Sequence, residues 1–140
     1  MKNTIKITSF FLVSSLALSA NAGREGWIRV GIEEKKVNLF YMPLSIRTHQ
    51  TGDVHVVSVL NYTNHNGRAE SILTSSMYNC TNNTKQDQLT VQHELHWGDG
   101  EVISTSGKEQ QWRDVLPRTK GFTLLEVTCA TNRSSTQLQR

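Results

Sequence analysis

The run VHVVSVLNY, residues 54–62, followed by TNHNG and then by RAESILTSSMYNC, residues 68–80, decides the fold. Val54, Val56, Val57 and Val59 are β-branched side chains. Such side chains are stiff in a helix and suit a pleated surface. TNHNG has the Asn/Gly composition of a hairpin connection. In the second run Ile72, Thr74, Ser76 and Tyr78 fall on one side of an extended chain. Two adjacent strands joined by a short turn start an antiparallel sheet.

Working outward adds strands on both sides. WIRVGI, residues 27–32, and VNLFYM, residues 37–42, flank the polar EEKK and suggest a hairpin. Pro43 cannot continue a central strand, so PLSIR is a tight connection. After Cys80, TNNTK turns the chain, and QLTVQHELHW, residues 88–97, places Leu89, Val91, His93, Leu95 and Trp97 on one strand face. GDG breaks that run, EVIST is a further short strand, and Trp112 to Pro117 is irregular. TKGFTLLEVTC, residues 119–129, fits either a helical face of Phe122, Leu125 and Cys129 or a strand alternating through Phe122, Leu124 and Glu126. The helix is preferred, with Thr119 as N-cap. ATNRSSTQLQR, from about residue 132, is polar enough to be a frayed tail. The expected fold class is α+β: a mainly antiparallel meander of about six strands, a short C-terminal helix packed on it, and one disulfide.

The first residues set the compartment. Lys2 and Lys6 precede an apolar core, Ile7 to Leu18, too short to span a bilayer. Ala20-Asn21-Ala22 fits the small-x-small cleavage rule. Residues 1–22 are therefore expected to be a signal peptide, and 23–140 a single exported domain without a lipid-attachment cysteine or a transmembrane segment. The 15 Lys and Arg include the two in that leader, which leaves a net charge of +1 against 12 acidic residues. A chain so nearly neutral, with scattered basic residues, lacks the footprint of a nucleic-acid binder. Two cysteines in an exported chain, Cys80 and Cys129, are most simply one disulfide.

Chemistry-bearing motifs are scarce. His93-Glu94-Leu95-His96 has i, i+3 spacing, whereas the zincin helix needs its histidines at i, i+4. A zinc enzyme built on His93, Glu94 and His96 is thus a weak alternative, and no metal ligand set is assigned. Ser75 and Ser76 have no positioned base in view, and no nucleophile elbow occurs. No catalytic residue and no cofactor are expected. Trp27, Trp97 and Trp112 are core candidates, although a tryptophan beside a glycine turn can anchor a partner.

Taken in order, GWIRV, LFYMPLSIR, VHVVSVLNY, SSMYNC, HWGDGEV, WRDVLP and LLEVTC resemble the surface-adhesin protein E family of exported bacterial proteins. The resemblance covers about residues 26–131. It implies a twisted antiparallel sheet with helical elements, a Cys80–Cys129 bridge, binding to host extracellular proteins such as vitronectin or laminin, and a homodimer through a free sheet edge. Met42 and Asn79 stand where members often carry Asp. The candidate contact region is the 64–88 stretch, and the candidate partner-binding residues are Arg68, Tyr78, Lys85 and Trp97. The alternative is a periplasmic envelope protein or partner-binding inhibitor that uses the same fold without adhesion, since fold does not fix function. Periplasm, outer surface and secretion are all open to an exported chain of this kind.

Overall fold

The computed structural model describes residues 24–63, 69–108 and 110–137. The expected signal peptide, Arg68 and most of the TNHNG turn lie outside these residues. In chain order the strands are β1 (Ile28–Arg29), β2 (Val37–Tyr41), β3 (Arg47–Thr48), β4 (Val54–Tyr62), β5 (Ser71–Asn79), β6 (Thr84–His93), β7 (Val102–Ser106) and β8 (Arg113–Asp114), followed by α1 (Lys120–Gln137). All strand pairs are antiparallel, and the sheet runs β1-β2-β4-β5-β6-β7. The two-residue strands fill in the edges: β3 extends β4 beyond the end of β2, and β8 pairs with the start of β6. Three long strands thus form the centre, and each outer flank is covered in two short pieces.

The register assigns the faces. Leu39, Leu60 and Ile72 lie in one transverse row, as do Val56 and Ser76. This side packs on α1, where Val30, Leu39, Tyr41, Val56, Tyr78 and Val115 meet Leu124, Leu125 and Cys129. Burial of such side chains contributes roughly 1.5–3 kcal/mol each for Val and Leu. Helix α1 begins where Thr119 caps it: the Phe122 amide donates to Thr119 Oγ1 at 3.1 Å. Cys80 and Cys129 are bridged, with Cα atoms 5.8 Å apart, which ties the end of β5 to the helix.

Three expectations are corrected. The helix does not stop near Cys129 but continues through Gln137, across the stretch expected to fray. Two hydroxyls of this part bond back to the helix itself: Thr131 Oγ1 donates to the Val127 carbonyl at 2.9 Å and Ser134 Oγ to that of Ala130 at 3.2 Å. Strand β6 starts earlier than expected and ends at His93, so Leu95 and Trp97 do not share its face. Irregular residues 113–114 pair as β8.

The register of β6 also shifts. Ser75 faces Leu89 and Ser76 faces Asp87, so Gln88 is an extra residue on β6. This bulge sends Asp87 to the helix side and Leu89 to the other side. Without it the two would share a face, because side chains alternate with period two.

Candidate binding site

The described residues offer a cavity under the helix, a folded-back corner on the opposite face, and a free sheet edge.

The cavity measures about 400 Å³. Its floor is the helix-facing side of the sheet. Leu39, Leu60 and Leu124 give it an apolar wall, and Tyr78 closes one end. Charge gathers on the β6–β8 side. The bulge turns Asp87 inward, where it is only 6 % exposed. Its carboxylate accepts from Ser76 Oγ at 2.7 Å and from Lys85 Nζ at 3.1 Å, and it also pairs with the Arg113 guanidinium. Lys120, at the start of α1, donates to the Val37 carbonyl at 3.0 Å and pairs with Glu34 at 3.1 Å. Tyr78 is buried, and that burial, reinforced by the negative charge of Asp87, raises its phenol pKa well above the ordinary tyrosine value.

The corner lies on the other face. After His93 the chain turns at Trp97, Gly98 and Gly100, all with positive φ. Trp97, at φ 66°, adopts a left-handed conformation that costs a bulky residue about 1–2 kcal/mol. Buried polar side chains hold it there. The Trp97 amide donates to Asn61 Oδ1 at 2.9 Å, and the Gly98 amide to Ser71 Oγ at 3.0 Å. The indole packs on Phe40 with centroids 4.5 Å apart and on Trp27 at 6.3 Å. His96 directs Nε2 to the Tyr62 carbonyl at 2.7 Å. The His93–His96 segment is thus a structural corner, and no group of three or more metal-ligating side chains gathers among the described residues.

On this same face His55 sits between two partners: Nδ1 lies 3.2 Å from the Ser45 carbonyl and Nε2 2.7 Å from Ser75 Oγ. The carbonyl can only accept, so Nδ1 carries a proton, and in the neutral ring Ser75 donates to Nε2. Ser75 therefore does have a base beside it, contrary to the sequence reading. The pair links adjacent strands and holds the Pro43–Ser45 turn against β4. Alternation could have placed both residues on one face, but only the register makes them neighbours.

The sequence-derived candidates do not converge. Tyr78 is 1 % exposed and belongs to the core, so it offers no surface to a partner protein. Lys85 joins the charged side of the cavity, and Trp97 covers the opposite face. The free sheet edge that the family resemblance implied, without a position, lies at β7. Strand β7, VISTS, pairs only with β6 among the described residues and is exposed along its whole length. Val102 is 55 % and Ile103 39 % exposed.

Solved structures with this architecture exist. Crystal form II of Haemophilus influenzae protein E superposes with a TM-score of 0.62 at 21 % identity, over 77 % of this chain and 90 % of that one. Its selenomethionine form gives 0.62 at 24 % identity, over 77 % and 88 %. Protein E from non-typeable Haemophilus influenzae gives 0.58 at 22 %, over 79 % of each chain. No curated protein matches the chain in sequence. No helix among the described residues is long and apolar enough to cross a membrane. The model of the surface-adhesin protein E family matches residues 27–130, a span that includes both cysteines, and the chain therefore belongs to that family.

Proposed function

We propose that the chain is an exported, non-enzymatic binding module that attaches to host extracellular proteins, with vitronectin and laminin as the first partners to try. Family membership supports the adhesin-like reading. The observation that carries the mode of binding is the β7 edge. Edge strands are ordinarily blunted by lysine, proline or inward charge, because their free amides and carbonyls recruit other chains. VISTS carries none of these; its register with β6 shifts at Ile103, which leaves Thr105 and Ser106 regularly paired, and it adds two exposed apolar side chains, Val102 and Ile103. A partner strand laid along β7 gains main-chain hydrogen bonds, and the apolar pair gives it register. Trp112, 41 % exposed, adds an aromatic surface that the same module can present.

The test combines location and binding. Protease treatment of intact cells should remove the protein, and the purified chain should bind immobilised vitronectin or laminin saturably at physiological salt. Ile103→Lys should weaken that binding about tenfold while leaving the melting temperature within a few degrees. Protection until the outer membrane is opened sinks the adhesin reading and favours a periplasmic partner. Concentration-dependent dimerisation abolished by the same variant would assign the edge to a second copy.

A further inference from the structure

Three hydroxyls form a row on the helix-facing side of the sheet. Ser58 on β4 stands opposite Thr74 on β5, and Thr74 opposite Thr90 on β6. All three line the cavity. The flanking row is apolar over β2, β4 and β5, with Leu39, Leu60 and Ile72, and turns polar at Gln92 on β6. In the row on the other side, Ser76 and Asp87 satisfy each other. The hydroxyl row is different: none of its three side chains finds a protein partner among the described residues. Ser58 is nonetheless only 7 % exposed. The buried side-chain atoms left without a partner among the described residues are His93 Nδ1 and Thr128 Oγ1, so the hydroxyls of the row reach the open cavity, where water or a ligand can serve them. Three of them in one cavity form an arrangement better matched to a polar ligand than to the packed helix.

The charges on the lining narrow the ligand. Lys85 and Arg113 share the single carboxylate of Asp87, so this side keeps one uncompensated positive charge. The Arg113 side chain is 54 % exposed, and its guanidinium has five donors in a planar fork, more than Asp87 uses. The cavity volume, about 400 Å³, lies in the range that encloses small organic molecules.

We propose that this cavity binds a hydroxylated carboxylic acid of monosaccharide size, a sugar acid, with its carboxylate at Arg113 and Lys85 and its hydroxyls on the Ser58–Thr74–Thr90 row. The C–H face of the ligand lies against Leu60 and Leu124. A simple fatty acid leaves the hydroxyl row unpaired. A neutral sugar leaves the positive charge unanswered. This site is independent of the β7 edge and of any adhesive role.

The experiment is an amide NMR titration of the disulfide-intact chain with glucuronate, and with glucose, hexanoate and inorganic phosphate in parallel. Glucuronate should shift the amides near 58, 74, 90 and 113 saturably, and glucose should bind at least about tenfold more weakly. Thr74→Val keeps shape and removes one hydroxyl; it should weaken glucuronate about tenfold with an unchanged melting temperature. Arg113→Gln should abolish the preference for glucuronate over glucose. The proposal is overturned by the absence of shifts up to roughly 10 mM, by tighter binding of hexanoate, by phosphate acting as well as glucuronate, or by indifference to Thr74→Val.

Discussion

Single residues in this protein carry costs that their neighbours offset. Trp97 accepts a left-handed backbone because Asn61, Ser71, Phe40 and Trp27 all hold the corner in place. Tyr78 is the titrating counterpart. Burial and the nearby Asp87 raise its pKa above the ordinary value of 10.0. The folded state thus holds the phenolic proton more tightly than the unfolded chain. Its contribution to stability is fully present below about pH 10, the unfolded pKa, and is lost as pH climbs above it. Ultraviolet titration should show one of the three tyrosines failing to ionise until the protein unfolds in alkali. Tyr78→Phe should delete that late step and reduce the fall in stability above about pH 10, with Tyr41, whose pKa burial also raises, keeping part of it. Ionisation of every tyrosine near pH 10 with the fold intact would contradict the assignment.

At the scale of elements, much was legible and the exceptions have physical causes. The valine-rich β4 and the alternating β5 announced themselves because their side-chain types and period agree. The Thr119 cap was legible from residue type and position. The bulge at Gln88 was not, because an extra residue leaves no trace in a short polar run, yet it is what puts Asp87 into the cavity. The hydroxyl row was equally hidden: Ser58, Thr74 and Thr90 are 16 positions apart in each step and become neighbours only through register. The turn after β5 shows how far composition reaches. Its Asn-rich run signalled a turn, and the structure supplies the roles. Asn79 Oδ1 accepts the amides of Thr81 and Asn82 at 3.1 and 2.9 Å, and Asn83 takes the left-handed position at φ 54°. Asn79 Nδ2 also donates to Asp53 Oδ1 at 3.1 Å. An aspartate keeps the first role and reverses the second, setting two carboxylates face to face. Asn79→Asp should therefore lower stability by about 1–2 kcal/mol at neutral pH, and Asp53→Asn in the same chain should recover much of it. A denaturant series on the two single variants and the double variant measures this; additive losses would deny the contact.

For the molecule as a whole, the question is what keeps an 18-residue helix on one face of the sheet. Apolar burial by Leu124 and Leu125 supplies part of the answer. The helix also leaves a cavity beneath its first turn, and its last turns are polar, so its packed contact is short. Cys80–Cys129 compensates at the far end of that contact. The two cysteines are 49 residues apart in sequence. Closing a loop of that length stabilises a fold by about 4 kcal/mol through the restricted unfolded chain. Because the gain belongs to the pair, Cys80→Ser and Cys129→Ser should each lose the same amount, and the double variant little more than either. Guanidinium unfolding of all three under non-reducing conditions tests this. Unequal losses would mean that one sulfur matters mainly through packing, with Cys129, 4 % exposed in the core, as the one expected to cost more. If the helix separates from the sheet before the strands unfold, hydrogen exchange in the reduced protein should rise first along α1 and the helix-facing rows of β4. Simultaneous release of every strand would instead show that helix and sheet form one cooperative unit even without the bridge.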